Sequence, residues 1–436
     1  MAHRPVVEAE RRAGREMSIK TFHLTNAYHD TSGGVRTFYQ NLLAAAERRR
    51  QPLRLLVPGS RTEVEDVGSF GRIYRLRAPR MPFFDSRYRV ILPHRFLFSS
   101  RGAIWTILRR EQPDLIEIAD RYSLCYISSL LRSGLVLLGS DGQWRPTLAG
   151  SGCERVDDNV AAFLGLGGLG QRLSALYMRR IHGRQFDYFL ANSEYTAAEV
   201  RSALPERHQR RVHVQPRGVD TDMFTPSKAG SHRSALHRRI GAPDDAVLLL
   251  YVGRLSPEKN VRMLPALLRE LRRHSPRYHL VLAGEGPLRR ELEALAGSDC
   301  GRYVHFLGHV RDREALATLY ASCDVFTHPN PREPFGIAPL EACASGAAIV
   351  APRAGGILTF LDDSNAWLTQ AAPEAFAAAI AELESNPDER FRRQQAARHT
   401  ALAYRWDEVT DRWLDLYEQL HLERLEKHRR SMAASV

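Results

Sequence analysis

Glu333 and Glu341 bracket the segment Glu333-Pro-Phe-Gly-Ile-Ala-Pro-Leu-Glu341 and are the sharpest chemical signal in the chain. A proline directly after Glu333 disfavours helix at the glutamate and suits a first helical turn, so the spacing predicts a helix over 334–345 with Glu333 at its entrance. That entrance is the partial positive pole of the helix, where backbone N–H groups receive a phosphate or a developing negative charge. Phe335, Gly336 and Ile337 fall between the two acids, beside whatever binds there. Glu341, further along, is read on nearly the same face, placed to accept hydrogen bonds from a diol. Glutamates at this spacing also occur on ordinary solvent-facing helices. What separates this pair is its flanks: Asn330-Pro-Arg before Glu333 is loop chemistry after an apolar strand, and Ala342-Cys-Ala-Ser-Gly346 ends the helix in small residues that let backbones approach.

Upstream, Tyr251-Val-Gly253-Arg254-Leu-Ser-Pro-Glu-Lys259 puts two cations on the loop leaving a predicted strand. Arg254 and Lys259 at the carboxyl end of a strand and before a helix are placed to hold a diphosphate; two solvated surface charges are the plainer alternative. Gly284-Glu-Gly286-Pro ends the next strand in a tight bend that lets a flat ring approach the main chain. Gly33 and Gly34 occupy the equivalent turn after the first strand of the chain. Two motifs are weighed and set aside. Asp220-Thr-Asp222 has a D-x-D pattern but falls in a linker, so no metal site is expected, and nothing has the spacing of a zinc site. Gly165-Leu-Gly-Gly-Leu-Gly170 fits the dinucleotide fingerprint, with 160–164 as its only candidate strand, yet its neighbours read as a loop feeding a helix.

The elements that must position these residues alternate strand and helix. Strands are predicted over 19–25, 53–57, 115–118, 135–138, 186–190 and 211–214, with helices over 35–47, 103–110 and 194–204 among them. The alternation pauses across 216–243, which is rich in Pro, Gly, Asp and Ser without an apolar period, and then resumes. Strands follow over 247–252, 279–283, 303–307, 324–328 and 347–351, with helices over 261–274, 288–296, 313–321 and 334–345. The chain thus divides into a tail at 1–17, a first domain at 18–216, a linker at 217–243, a second domain at 244–404, and an amphipathic helical region at 405–436 that can belong to either domain or cross back to the first. The fold class is α/β: two Rossmann-like, doubly wound parallel sheets facing across a cleft, where ligands meet the carboxyl ends of strands.

Length and composition agree, since 436 residues suffice for two or three domains with full cores. An apolar fraction of 44% with 26% charged residues excludes wholesale disorder and coiled coil. No apolar run is long enough to cross a membrane. Net charge is +12, carried mostly by arginine, which favours anionic partners such as a nucleotide, nucleic acid or an acidic bilayer. Nucleic acid is disfavoured, because no zinc motif, helix-turn-helix or interleaved aromatic and basic strand accompanies the charge. Residues 74–110 combine Arg77, Arg80, Arg87, Arg95 and Arg101 with Phe83, Phe84, Phe96, Phe98 and Trp105, a basic and apolar stretch suited to an acidic membrane, unless it is a solvated insertion. Five cysteines without a CxxC pair, and an Arg-rich start lacking an apolar core, point to reduced thiols in the cytoplasm, with peripheral contact at the inner face of the membrane.

Together, in this order, the Gly253-Arg254-x4-Lys259 loop, the Gly284-x-Gly286-Pro turn and the E-x7-E pair resemble the retaining glycosyltransferases of family 4, which have the GT-B fold. The resemblance covers nearly the whole chain from Ser18 to about Leu420 and is best in the second domain. Arg217 to Phe224 resembles the family's interdomain segment, and Asn365-Ala-Trp-Leu368 resembles a late strand of the donor domain. The resemblance implies a hexosyltransferase using a nucleotide-diphosphate sugar and a hydroxyl acceptor (a glycan, a lipid-linked molecule or a small molecule), with no obligatory metal or cofactor. It implies that Arg254 and Lys259 hold the donor diphosphate, that Glu341 holds the ribose hydroxyls, and that Glu333 faces the transferred sugar near its anomeric carbon. Gly33 and Gly34 would line the cleft beside the phosphates or the acceptor. The chain departs from the family at two places. Where many members carry a histidine after a strand of the first domain, the strand over 135–138 leads instead to Gly139-Ser-Asp141-Gly142, so Asp141 or Ser140 would take over the contact. Where relatives often place a glutamate after a glycine pair, this chain has Gly355-Gly356-Ile357. The first departure leaves a second reading open: a catalytically silent nucleotide-sugar binder of the same fold.

Overall fold

A computed structural model describes residues 18–29, 33–81, 88–97, 101–136, 145–152, 155–158, 167–230 and 232–434. The chain forms two compact units. The first comprises residues 1–152, 181–190 and 410–436, and the second 153–180 and 191–409.

In the first unit, apolar runs of strand length make β1 (Thr21–Leu24), β2 (Leu53–Gly59), β5 (Leu115–Ile118) and β7 (Tyr188–Ala191). Added to them are β3 (Glu63–Val67), β4 (Gly71–Arg77) and β6 (Thr147–Gly152), none of which the hydrophobic pattern predicts. The strands of this unit run across the sheet in the order β3-β4-β2-β1-β5-β6-β7. Neighbours β4-β2, β2-β1, β1-β5 and β5-β6 are parallel, and β3 turns back antiparallel on β4. The helix Gly33–Arg48 follows β1 and buries Phe38, Tyr39, Leu42 and Leu43, as a crossover between parallel strands requires. Phe22, Leu24, Leu55 and Ile116 on the strands are fully buried or nearly so. From Thr410 onward the C-terminal helix Trp406–Ala433 belongs to this unit. Its Tyr417 hydroxyl donates to Glu117 Oε2 at 2.5 Å, and His23 Nδ1 lies 2.7 Å from the same oxygen, so one oxygen of a buried carboxylate on β5 is held by two elements.

Of the strand expected over 135–138, Leu135 and Val136 lie in a bend after the helix Tyr126–Arg132, with Leu135 74% exposed, and 137–144 fall outside the described residues. β6 takes that place in the sheet and ends at Gly152. A Cβ there would lie 1.7 Å from the Arg121 guanidinium, which would have to move aside.

The second unit contains β8 (Val212–Val214) and a sheet of β9 (Val247–Val252), β10 (Tyr278–Ala283), β11 (Val304–Gly308), β12 (Val325–Thr327), β13 (Ala348–Pro352) and β14 (Trp367–Thr369). The order is β11-β10-β9-β12-β13-β14, with every pairing parallel. The chain winds outward from β9 through β10 to β11 and then returns to lay β12 on the other side of β9. The order therefore reverses at β9/β12, and the loops leaving the carboxyl ends of these two strands flank the switch point where such sheets bind ligands. Both faces are covered. Leu248, Leu250 and Ile349 join one core, and Leu249, Leu280 and Val350 the other. The segment 216–243 is structured, which its composition hid. It carries the helix His232–Ile240, and Val219, Phe224 and Leu236 are buried in the second unit's core.

Candidate donor-sugar site

At the switch point, β9 leads into Gly253-Arg254 and a single 3-10 turn, Pro257–Lys259, while β12 leads into His328-Pro-Asn330 and Glu333. The two loops meet through side chains. Lys259 Nζ donates to both carboxylate oxygens of Glu333, at 3.1 and 2.9 Å, and Asn330 Nδ2 donates to Oε2 at 3.1 Å. His328 Nε2 lies 3.5 Å from Oε2, and Asn260 Nδ2 donates to the Pro329 carbonyl at 2.9 Å, tying the loops at the backbone. Burial pushes the Glu333 carboxyl upward, but Lys259, His328 and the Asn330 amide outweigh it and hold the group below its ordinary value. Glu333 is thus an ionised carboxylate, nearly buried, at neutral pH. His328 is 4% exposed, and burial lowers its ring to about 4, with Lys259 adding to the effect and Glu333 opposing it, so the imidazole is neutral.

The backbone under Glu333 is fixed from two sides. Gly356 N–H donates to the Glu333 carbonyl at 2.6 Å, and a Cβ on Gly356 would sit 1.9 Å from the Pro334 carbonyl oxygen. Ser193 Oγ donates to the Pro334 carbonyl at 2.5 Å. Phe335 is buried against Phe360 and Tyr404.

The helix after Glu333 is shorter than its sequence pattern predicts. It spans Ile337–Ala344, and Gly336 stands before it with φ +98°, a left-handed conformation. Pro334 and Phe335 belong to the loop, so Glu333 is off the helix altogether, and the two glutamates do not share a helix face. No side chain caps the helix, and its first N–H groups at Ile337 and beyond form the positive end. Glu341 is buried among other partners: the Tyr320 hydroxyl donates to Oε2 at 3.1 Å and Arg313 lies 3.9 Å from Oε1. Burial raises its carboxyl to about 7 against the pull of Arg313 and Tyr320, with Asp220 reinforcing the rise.

The glycines of the first two loops serve backbone packing. Gly253 N–H donates to Ala283 O at 3.1 Å, Leu255 N–H to Glu285 O at 3.0 Å and Leu288 N–H to Leu255 O at 3.0 Å. A Cβ on Gly284 would sit 1.8 Å from the Gly253 carbonyl, and one on Gly286 2.2 Å from that of Leu255. The Tyr251 hydroxyl donates to the Arg254 carbonyl at 2.9 Å, while the Arg254 side chain is exposed. So Lys259, Glu333 and the entrance at Ile337 are brought to one sheet end, with Arg254 on the adjoining loop. Tyr320, Arg313, Asn330 and His328 complete the two acidic environments; of these, only Asn330 stood out in the sequence. His328 is signalled only by ending a buried strand at a carboxyl edge.

In the first unit, Gly33 and Gly34 open the helix Gly33–Arg48. Asp141, Ser140 and Gly139 lie outside the described residues, as do Phe83, Phe84, Arg87 and Phe98 of the basic stretch. Two aromatics of that stretch that are described, Phe96 and Trp105, are 1% and 0% exposed, with Trp105 Nε1 donating to the Phe96 carbonyl at 3.0 Å. They are core, not surface. Asp220 Oδ1 accepts from the backbone of Asp222 and Met223 as a turn cap, and no group of three metal-ligating side chains forms among the described residues. Cys125, Cys300, Cys323 and Cys343 are buried free thiols. The candidate strand over 160–164 before the glycine fingerprint lies outside the described residues, and Gly167 and Gly170 are helical. No described helix is long and apolar enough to cross a membrane.

Two parallel-sheet α/β units, with a charged site at a switch point of the second, define a glycosyltransferase of the GT-B class. Residues 232–400 match the family profile of glycosyl transferases group 1 and residues 32–223 that of glycosyltransferase family 4. The two matches together take in most of the chain, and the protein belongs to the family 4, group 1 glycosyltransferases. It is 29% identical over 395 residues to a GDP-mannose-dependent alpha-(1-6)-phosphatidylinositol dimannoside mannosyltransferase of Mycobacterium tuberculosis, covering 89% of this chain and 93% of that one. It is 37% identical over 222 residues to a D-inositol 3-phosphate glycosyltransferase of Xylanimonas cellulosilytica, about half of each chain. In fold it is similar to the sucrose-phosphate synthase of Thermosynechococcus elongatus, with a TM-score of 0.72 at 20% identity over 93% of this chain and 100% of that one.

Proposed function

We propose that this glycosyltransferase takes its sugar from a nucleotide-diphosphate sugar bound at the β9/β12 switch point and passes it, with retention, to a hydroxyl acceptor carried by an anionic lipid. The observation that carries the donor side is the Lys259–Glu333 pair, a cation and an ionised carboxylate held together at the carboxyl ends of two adjacent parallel strands. Arg254, Lys259 and the N–H groups entering the helix at Ile337 neutralise the departing diphosphate, so catalysis is electrostatic and no metal is obligatory. Glu341 accepts from the ribose hydroxyls, and Gly253, Gly284, Gly286, Phe335, Gly336 and Ile337 shape the donor pocket. The bond from the anomeric carbon to the diphosphate oxygen breaks while the acceptor oxygen bonds the same carbon on the same face. The acceptor proton passes to the departing oxygen. Glu333 orients the sugar and stabilises positive charge at the anomeric carbon without forming a bond to it. Gly33, Gly34 and Asp141 are assigned to the acceptor side.

The naming of the relatives supports GDP-mannose as the first donor to try and an inositol-bearing phospholipid as the first acceptor. The test is release of nucleoside diphosphate from UDP-, GDP- and ADP-sugars by the wild type and by Glu333→Gln and Arg254→Ala. Slow release from one donor, abolished in both variants, supports the reading. Donor binding without release, even with acceptors present, overturns it in favour of a silent binder.

A further inference from the structure

The helix Gly167–Tyr177 continues through the π-helical turn Met178–His182. Residues spaced four apart, Ser174, Met178 and His182, are buried at 4%, 1% and 1% exposure and anchor one side. On the other side Leu173, Leu176 and Ile181 are 51%, 52% and 42% exposed, three large apolar side chains within nine residues. Arg172, Arg179 and Arg180 are exposed among them. Between Gly167 and Phe186 the sequence contains no aspartate or glutamate. Scattered exposed leucines need no explanation, but apolar side chains interleaved with arginines and no acid on one helix do. A soluble helix gains nothing by presenting leucine to water beside cations. At the surface of an anionic bilayer both kinds of residue are satisfied, the leucines at the boundary of the acyl chains and the guanidinium groups among phosphates. The inserted π turn adds a residue to the helix there and turns Arg179, Arg180 and Ile181 relative to an α-helical path.

We infer that the exposed side of residues 172–180 is the surface by which this enzyme docks on an anionic lipid bilayer. The occupant is a bilayer; in the basic stretch at 74–110 the described aromatics Phe96 and Trp105 are interior and offer it no contact. This inference rests on the lipid-borne acceptor proposed above.

The experiment is co-sedimentation of the full chain with vesicles of phosphatidylcholine alone or mixed with phosphatidylinositol. The variants are Leu173→Ser with Leu176→Ser, Arg179→Gln with Arg180→Gln, and Phe391→Ser as an exposed apolar control in the second unit (64% exposed). The wild type and the control sediment with the anionic vesicles and not with the neutral ones. The arginine pair loses binding by about thirtyfold and the leucine pair by at least about tenfold, while donor hydrolysis stays at the wild-type rate in all of them and reports intact folding. Failure of the wild type to bind anionic vesicles overturns the inference together with the lipid-borne acceptor. Binding that survives both double substitutions overturns the docking surface alone. Loss in the arginine variant without loss in the leucine variant also overturns it, since that marks a purely electrostatic encounter with any polyanion.

Discussion

Lys259 and Glu333 lie seventy-four residues apart in the chain, yet one ammonium group bridges both oxygens of one carboxylate. This pairing sets the protonation state of the site, because burial alone would raise the Glu333 carboxyl. Lys259→Met removes the strongest opposing charge and leaves burial less opposed. The carboxyl then rises, and the acid limb of the pH–rate profile moves to higher pH. At neutral pH kcat/KM falls by about a hundredfold or more, since the group proposed to face the leaving charge is lost as well. A profile displaced downward without a shift of its acid limb would show that Lys259 acts on the diphosphate alone.

Glu341 behaves oppositely. Its carboxyl is raised to about 7 by burial, above the unfolded value of 4.5. A carboxyl whose folded value is raised takes up protons more readily in the folded chain. The contribution of Glu341 to stability is therefore greatest below about pH 4.5, declines as pH rises through about 7, and stays reduced above. Glu341→Gln removes that cost, so at about pH 8 the variant unfolds at higher denaturant than the wild type, by on the order of 3 kcal/mol at most, with no gain at about pH 4. The same variant raises KM for the donor if Glu341 accepts from ribose. Denaturation at the two pH values checks the first statement and donor titration the second.

What the sequence revealed followed from how much signal each element carries. Val-Leu-Leu-Leu-Tyr-Val is a continuous apolar run, and β9 forms over the same residues as its pattern predicts. Glu-Val-Glu-Asp-Val at β3 is mostly charged because the strand lies at the edge of its sheet, so the hydrophobic pattern passes over it. Thr-Leu-Ala-Gly-Ser-Gly at β6 has weak strand propensity, while the stronger run at 135–138 drew the strand to itself. The expected histidine position at Gly139 lies outside the described residues, and β6 ends further along the chain, at Gly152. The family motifs located Glu333, Lys259 and Glu341, but not their neighbours. Tyr320 and His328 reach the two glutamates through folding, and no spacing rule links them.

The glycines between β10 and β11 separate packing from ligand shape. Gly286→Ala places a methyl group 2.2 Å from the Leu255 carbonyl oxygen, and backbone on both sides must move apart. A loss of about 1–3 kcal/mol follows. Gly301→Ala is the matched control: nothing lies within 4 Å of its Cβ position and its φ is −54°, so the change is neutral or slightly stabilising. Urea unfolding of the two variants distinguishes them, and equal midpoints would refute close backbone packing at the second loop.

His279 and His305 form a pair in the second unit that couples stability to acid. On the parallel neighbours β10 and β11 the rings stack at 4° with centroids 5.2 Å apart, and His279 Nδ1 is 2.9 Å from His305 Nε2. One neutral ring donates to the other, an arrangement that a second proton breaks. Burial lowers His279 to about 4, reinforced by His305, Arg272 and His237, and burial also lowers His305. Both rings bind protons less readily folded than unfolded, where the value is 6.5. The contribution of this pair to stability is therefore complete above about pH 6.5 and is lost progressively as pH falls toward about 4. His279→Gln keeps a hydrogen-bonding side chain without the titration, so the fall in unfolding free energy between about pH 7 and pH 5 becomes shallower than in the wild type. An unchanged slope would place the acid sensitivity elsewhere, at His182 or His328, whose rings are also held neutral by burial.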